Sequence, residues 1–437
     1  MLDRHFRLAE QGVTMRGEIF AGLTTFLTMV YIVVVNPAIL GDAGLPPGAV
    51  AVATCLAAGF GSILMGLASN YPLAMAPGMG LNAYFAYTVV KGMGLPWQTA
   101  LGCVFLSGLA FLILTLTGVR GAIVRAIPRS LFSAVAGGIG LFIAFIGLKD
   151  AGIVVGSPAT FVSLGRLASP AAITALVGLV VIAVLQARQV KGAMLIGIAV
   201  AAGAGWLLGL ARPAPVSWGL GDLSATAFRL NIGAAMNLRS GLVWSLVEIV
   251  FVFLFVDLFD NLGTLVGVAR RAGLIDANGH IPRLQRILLA DSIAAMAGAV
   301  AGVSTVTSYV ESAAGVAAGG RTGLTAVVVG LLFLLTLFVA PLAAVIPTAA
   351  AAPALIIVGA LMAGAVVDID WNDPAAAIPA FLTVVMIPLT FSIANGLAFG
   401  LVAHALMKVA SGRAGRADAP LFALAALCAA RFIYLAV

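Results

Sequence analysis

The apolar residues of this chain are gathered in long runs, and Gly, Pro and charged residues separate one run from the next. A helix of about 20 apolar residues crosses the hydrocarbon core of a bilayer. The pattern therefore predicts an all-α polytopic membrane protein with fourteen transmembrane segments. The predicted segments are 17–40, 49–69, 72–91, 95–119, 129–147, 171–189, 193–211, 241–269, 281–302, 304–320, 322–341, 346–366, 374–391 and 392–410.

Two of these segments are poorly suited to a continuous helix. The third contains Pro72, Pro77, Gly78 and Gly80 at bilayer depth, and the tenth starts with a run of β-branched and hydroxyl residues. Each predicts an extended stretch that leads into a half-helix. Because they are the third segments of the first and second sets of seven, we expect two inverted repeats whose broken helices meet near the midplane. Transporters build their substrate sites there.

The segment order predicts four parts of the chain. Residues 1–211 form the first inverted repeat, 212–240 an extracytoplasmic connection, and 241–410 the second repeat. The tail, 411–437, contains an apolar run that could be a fifteenth span, an interfacial helix or a cover for the bundle. We favour the interfacial helix.

Composition agrees with this prediction and narrows the function. The chain is 62% hydrophobic and 9% charged, which excludes a soluble globular protein. With the N-terminus in the cytoplasm, most of the 23 Lys and Arg residues fall in cytoplasmic loops, so the net charge of +7 indicates orientation and not nucleic-acid binding. Both termini are then cytoplasmic. Cys55, Cys103 and Cys428 lie inside apolar runs without metal-binding spacing, so we expect neither a zinc nor a redox site.

Carboxylates inside the segments are the strongest functional signal. Each costs about 2.5–3.5 kcal/mol at the centre of a membrane helix and requires a partner, water or a function. Asp257, Asp260 and Asn261 share one face of the eighth segment, and Glu311 lies in the tenth. We expect these residues to form a functional site, although a buried polar clamp between the broken elements is the alternative for Asp257 and Glu311.

Other polar and aromatic residues have more than one interpretation. Glu248 is half a turn out of phase with Asp257 and is assigned a structural role, and Asp291 is expected to form an interfacial salt bridge with a nearby arginine. Asn82 and Gly80 could cap the third-segment half-helix, whose free N–H groups are also donors for a substrate. Five aromatic residues could stack on a planar ligand but are more often packing residues. They are Tyr84, Phe85, Phe251, Phe255 and Tyr309.

Carboxylates without a basic partner favour a neutral substrate that has N–H donors. The central parts of the eighth and tenth segments contain no Lys or Arg, so an anion would meet uncompensated negative charge. A carboxylate can accept a hydrogen bond from an amide or ring N–H and can also carry a proton. A planar heterocycle is therefore the expected class of substrate.

Several motifs resemble those of the nucleobase/cation symporter-2 superfamily, and in particular its azaguanine-resistance-type branch of adenine, guanine and hypoxanthine permeases. The resemblance extends from Phe6 to about Met407. The motifs are GLTTFLTM at 22–29, NP at 36–37, APGMGLNA at 76–83, FVDLFDNLGT at 255–264, TSYVES at 307–312 and PLTFSIANG at 388–396.

The resemblance implies fourteen spans in two inverted sets of seven, with short antiparallel strands in the third and tenth. Segments 1–4 and 8–11 would form a core domain, and segments 5–7 and 12–14 a gate domain. By motif position, the implied substrate-binding residues are Asp257, Glu311, Asn82, Gly80, Val310 and Ser312. The implied proton-coupling residues are Asp257, Asp260 and Glu311, and Asn261 and Thr28 are supporting polar residues.

The resulting hypothesis is proton-coupled uptake of purine nucleobases by alternating access, in the inner membrane of a bacterium. It implies no enzyme activity and no cofactor, with sodium as the alternative coupling ion and a possible homodimer through the gate domain. The pair Asp257 and Glu311 favours purines, because the uracil and xanthine branches usually have Glu at the first of these positions. The remaining alternatives are a uracil or xanthine carrier, a sulfate-permease-like anion transporter and an uncoupled channel or facilitator.

Overall fold

The protein is predominantly helical. The computed structural model describes residues 5–117, 129–210, 220–236, 243–274, 281–340, 346–415 and 418–436. Within these ranges, nine helices are long and apolar enough to cross a membrane. The helices that follow the predicted segments are Met15–Met29, Ile32–Gly41, Pro47–Ser69, Met79–Ala83, Trp97–Thr117, Arg129–Asp150, Pro170–Ala187, Ala193–Leu207, Val243–Ala272, Leu284–Ala301, Ser312–Ala317, Gly323–Thr336, Thr348–Ala363, Pro374–Leu389 and Ile393–Ala410.

The first predicted segment is divided into two helices. Met15–Met29 ends just before Tyr31, and Ile32–Gly41 continues beyond it. Pro37 lies inside the second helix and cannot donate a backbone hydrogen bond there. The division places the Tyr31 side chain in a short break between two helices.

The third and tenth segments each contain a strand followed by a short helix. Strand β1, Met75–Pro77, precedes helix Met79–Ala83, and a second strand, Val306–Ser308, is followed by helix Ser312–Ala317. The two strands pair antiparallel, with Ala76 opposite Thr307. The third segment then continues as a π-helix, Tyr84–Gly92.

Side chains and backbone groups outside the two-stranded sheet hold its ends. The Ser62 hydroxyl accepts from the Met75 amide at 2.9 Å and donates to the Met75 carbonyl at 3.0 Å. The Ala74 amide donates to Ser312 Oγ at 3.0 Å, and the Ala74 carbonyl accepts from the Tyr309 amide at 2.9 Å. Polar backbone that a broken helix leaves open is thereby satisfied within the protein.

Contacts divide the chain into two compact units. The first contains the described residues of 1–113 and 149–354, and the second those of 114–148 and 355–437. In the first unit, helices Pro47–Ser69 and Gly323–Thr336 approach at Gly66 and Gly323. A Cβ added to Gly66 would lie 2.4 Å from the Gly323 carbonyl oxygen, so these backbones can meet only without side chains. Both paired strands belong to this unit, whereas the core and gate assignment stays a prediction.

In the second unit, helices Pro374–Leu389 and Ile393–Ala410 pack together. The tail forms helix Ala419–Ala436, which packs on Ile393–Ala410 and brings the rings of Phe399 and Phe432 to 4.8 Å. Its interfacial position stays a prediction.

Two loop regions contain structure that the segment pattern did not predict. Strands Val154–Ser157 and Phe161–Leu164 form an antiparallel hairpin between the fifth and sixth predicted segments. In the predicted connection 212–240, residues 212–219 and 237–240 lie outside the described part. The described part of this connection contains a 3-10 helix, Leu220–Ala225, and helix Ile232–Ala235. These elements are short, so an apolar-run pattern gives no signal for them.

Candidate substrate site

Glu311 lies at the start of the tenth-segment half-helix, immediately before Ser312–Ala317. Its Oε1 accepts a hydrogen bond from the Tyr31 hydroxyl at 2.7 Å. Tyr31 is fully buried. The break in the first segment therefore places a tyrosine hydroxyl on a carboxylate that is 280 residues distant in sequence.

The eighth-segment acids lie on the long helix Val243–Ala272. Asp257 is 5% exposed, and Asp260 is half-buried and close enough to Glu311 for the two carboxyl groups to interact electrostatically. Asn261 is fully buried, and neither its Nδ2 nor its Oδ1 has a hydrogen-bond partner among the described residues. An amide in that condition is the kind of group that a ligand or water satisfies.

Asn82 lies on the third-segment half-helix Met79–Ala83, which packs against helices Ile32–Gly41 and Val243–Ala272. Its Nδ2 donates to Asn36 Oδ1 at 2.6 Å. Asn82 Oδ1 is buried and has no partner in the part of the chain that the structure describes. Asn82 thus has one free acceptor within the half-helix that precedes the π-helix.

The remaining residues that the resemblance implied have different surroundings. Gly80 is half-buried on the Asn82 half-helix, and Val310 is 62% exposed. The Ser312 hydroxyl accepts a hydrogen bond from the Ala74 amide, and the Thr28 hydroxyl donates one to the Thr25 carbonyl of its own helix at 2.7 Å. The structure therefore gives Ser312 and Thr28 backbone partners, while their roles at a substrate stay predictions.

The five aromatic residues that could stack on a ligand have different contacts. The Tyr309 hydroxyl donates to the Pro77 carbonyl at 2.6 Å, and Tyr309 also interacts electrostatically with Glu311 and Asp260. The Tyr84 and Phe253 rings pack edge-on with their centroids 5.2 Å apart, and the ring centroids of Phe251 and Phe255 are 5.4 Å apart. Phe85 is fully buried. Tyr309 therefore lies within electrostatic range of Glu311.

The two acids assigned structural roles lie elsewhere on their helices. Asp291 is fully buried in helix Leu284–Ala301, and the Arg283 guanidinium donates to the Ser69 carbonyl at 3.0 Å. Glu248 is half-buried, in the first half of helix Val243–Ala272. Among the described residues, no cluster of His, Cys, Asp or Glu could hold a metal ion.

Sequence reasoning missed four residues whose side chains form hydrogen bonds within the first unit. The sequence analysis did not single out Tyr31, Thr54 or Glu18, and Asn36 entered it only as part of a motif. A tyrosine in the middle of an apolar segment is a usable signal, because a buried hydroxyl requires a partner. For Glu18 the chain pattern offers no such signal.

A helical membrane chain with two broken segments, paired strands and acids beside them has the architecture of a secondary transporter. The fold agrees with solved structures. The transmembrane domain of the cyanobacterial bicarbonate transporter BicA superimposes with a TM-score of 0.67 over 87% of this chain and 97% of that domain, at 16% identity. At that identity the likeness concerns the fold alone.

The chain belongs to the permease family Xan_ur_permease, whose model matches residues 16–399. It is 48% identical to the adenine permease AdeP of Escherichia coli, over 94% of this chain and 92% of that protein. It is 44% identical to the guanine/hypoxanthine permease PbuG of Bacillus subtilis, over 98% of this chain and 99% of that protein. The chain is therefore a multi-pass membrane permease and not an enzyme, as its sequence predicted.

Proposed function

We propose that this permease carries purine nucleobases, with adenine, guanine and hypoxanthine as the substrate class. The observation that carries the proposal is that Glu311 and Asp260 lie within electrostatic range of each other, and that Asn261, the residue after Asp260, has a buried amide whose Nδ2 and Oδ1 have no partner among the described residues. An amide offers one donor and one acceptor edge, and carboxylates accept N–H groups, which together match a purine edge. The similarity to adenine and guanine/hypoxanthine permeases supports the same substrate class.

The substrate-binding residues in this proposal are Asp257, Glu311 and Asn82, with Gly80, Val310 and Ser312 around them. Asn261 and Thr28 support them. Glu311 would accept purine N–H groups while Tyr31 holds one of its oxygens. Asp257 on the eighth segment favours purines over the substrates of the uracil and xanthine branches, and a carrier of those branches is the alternative among nucleobase carriers.

Transport would use fourteen spans arranged as two inverted sets of seven, with a core and a gate domain that move relative to each other. The pairing of Met75–Pro77 with Val306–Ser308 supports this arrangement, because it joins equivalent broken segments of the two halves. In the proposed orientation, both termini lie in the cytoplasm of a bacterium and the chain spans the inner membrane. A homodimer would form through the gate domain.

Coupling would use a proton that binds among Asp257, Asp260 and Glu311, with sodium as the alternative ion. Carboxyl groups can bind and release a proton, and Asp260 and Glu311 lie within electrostatic range of each other. Binding that proton outside and releasing it inside would drive accumulation of a neutral base. Uptake that an uncoupler abolishes and that does not require sodium would support this coupling, and uptake that requires sodium would contradict it.

The test is uptake of labelled adenine and hypoxanthine into cells that lack their own purine carriers. Saturable, concentrative uptake that is lost in Glu311→Gln is the expected result, with membrane insertion checked for both proteins. Equilibration without accumulation would instead indicate an uncoupled facilitator. Absence of uptake by correctly inserted protein, together with uptake of bicarbonate or sulfate, would favour an anion transporter.

A further inference from the structure

Three buried polar side chains form a hydrogen-bonded chain that ends at Asn82. Thr54, Asn36 and Asn82 are all fully buried, on helices Pro47–Ser69, Ile32–Gly41 and Met79–Ala83. Asn36 Nδ2 donates to Thr54 Oγ1 at 2.8 Å, and Asn82 Nδ2 donates to Asn36 Oδ1 at 2.6 Å. These hydrogen bonds therefore join the first, second and third predicted segments beside the candidate site.

The direction of this chain is set at its far end by the helix backbone. Thr54 has one hydroxyl proton, and it donates that proton to the Val50 carbonyl at 2.7 Å. The Thr54 oxygen can then only accept, so Asn36 must turn its NH₂ group toward Thr54 and its oxygen toward Asn82. Asn82 must in turn present its own NH₂ group to that oxygen.

The consequence is that Asn82 Oδ1 faces away from the chain as a free acceptor. It is buried and has no partner among the described residues. A buried acceptor without a donor costs about 1–3 kcal/mol of free energy, so a ligand N–H group that donates to Asn82 Oδ1 would bind more favourably. Half-helix Met79–Ala83 packs against helix Val243–Ala272, which carries Asp257 and Asn261, so a donor bound at those residues is within the same region.

We propose that Thr54 and Asn36 are positioning residues that fix Asn82 as a hydrogen-bond acceptor for one N–H group of the substrate. Asn82 contacts the substrate, and the other two act through it. The inference rests on the proposed purine transport and deepens it, because it assigns a direction to one hydrogen bond of recognition. An asparagine that could turn freely would accept from or donate to the base and would discriminate poorly.

The test removes the direction of the chain without changing its shape. Thr54→Val keeps the branched side chain but has no oxygen for Asn36, so both amides become free to turn. Thr54→Ser keeps the hydroxyl and is the matched control. The readout is inhibition of labelled adenine uptake by two analogues, 6-chloropurine, which lacks the amino donors, and 9-methyladenine, which lacks the imidazole N–H.

In the wild-type protein, the analogue that lacks the N–H read by Asn82 should bind more weakly than adenine. We call the ratio of the inhibition constants of the analogue and of adenine the penalty. In Thr54→Val the penalty of this analogue should fall by about tenfold, the order of one hydrogen bond, whereas in Thr54→Ser it should be unchanged. The penalty of the other analogue should not change. A change confined to one analogue is not expected from general damage to the site.

Equal penalties in the wild type and in a folded, transporting Thr54→Val would overturn the inference, as would a wild type that penalises neither analogue. If Thr54→Val does not accumulate in the membrane, Asn36→Ser replaces it, because the shorter hydroxyl cannot span from Thr54 to Asn82 and the same loss of penalty is expected. Failure of the proposed function is seen separately, as absence of adenine uptake by the wild-type protein.

Discussion

Two glutamates, Glu18 and Glu311, each lie at the start of a helix, and the number of hydrogen-bond donors around them differs. Glu18, on helix Met15–Met29, is fully buried and reaches the start of helix Gly323–Thr336. Its carboxylate accepts from the Arg321 amide at 2.8 Å, the Thr322 hydroxyl at 2.8 Å and the Thr325 hydroxyl at 2.6 Å. The Thr322 and Thr325 amides also donate to it.

Glu311 has far fewer partners. Among the described residues, the Tyr31 hydroxyl is the side-chain donor to its carboxylate, and another acid, Asp260, lies within electrostatic range. The side chain is half-buried and not fully enclosed. A carboxylate with open acceptor capacity and a like-charged neighbour is poorly placed to stabilise the fold, and well placed to bind a donor or a proton.

The environment of Glu18 indicates that an acidic residue in a membrane segment can be a structural group. The number of hydrogen-bond donors around a carboxylate separates the two cases, because a fully bonded carboxylate has no free acceptor capacity for a ligand. Glu18 anchors the first segment to the eleventh, whereas Glu311 stays available. Variants should therefore separate stability from transport.

The largest effect is expected for Glu311→Gln. The amide keeps the size and an oxygen for Tyr31 but cannot carry the proton, so uptake of labelled purine should fall at least about a hundredfold, to background, as for loss of an essential group. Thermal unfolding in detergent should stay close to that of the wild type. A variant that transports normally would remove Glu311 from the site.

Glu18→Ala should do the opposite. It leaves buried donors of Arg321, Thr322 and Thr325 without an acceptor, and breaking a buried network of this kind costs about 3–5 kcal/mol. We expect a strongly lowered melting temperature and a reduced amount of folded protein. The molecules that remain folded should have an unchanged KM for purine, and an altered KM with normal stability would contradict the assignment.

A smaller effect is expected for Thr325→Val. It removes one hydroxyl that donates to Glu18 at 2.6 Å, at a cost of about 1–3 kcal/mol in the free energy of unfolding. Thr28→Val is the matched control, because the Thr28 hydroxyl donates to a carbonyl of its own helix. If both variants melt at the same temperature, the Glu18 network does not contribute to stability as inferred.

The smallest effect concerns a half-buried carboxylate, Asp373, at the start of helix Pro374–Leu389. The Ala375 amide and then the Arg413 guanidinium hold the pKa of Asp373 below its usual 3.8. A lowered pKa in the folded state gives stability that is present above pH 3.8 and is lost as the pH falls through the lowered value. Asp373→Asn should lower the melting temperature slightly at pH 7 and not at the acidic end, and a difference that persists at low pH would contradict this.

Much of the architecture could be predicted because the membrane imposes it. Pro72, Pro77 and Gly78 marked the broken third segment, and the spacing of Asp257 and Asn261 placed them on one helix face. These are local signals. The hairpin Val154–Ser157 with Phe161–Leu164 escaped prediction because its strands are too short to leave an apolar run.

The site was harder to predict, because its hydrogen bonds join residues that are distant in sequence. Tyr31 meets Glu311 across 280 residues, and Glu18 meets Thr325 across 307. No spacing rule reports such a pairing. Glu18 also resembled an ordinary charge near a helix start, and only the surrounding donors reveal that it is buried.

The pairing of Met75–Pro77 with Val306–Ser308 has a consequence for how the chain is made. Synthesis delivers the first strand to the bilayer more than two hundred residues before its partner. During that interval its backbone groups lack the neighbouring strand, and unpaired backbone is costly in lipid. The half-made protein must therefore keep this stretch sheltered, in the insertion machinery or against its own helices, until the tenth segment arrives. A ribosome that stops before residue 306 should leave a fragment that quality control degrades.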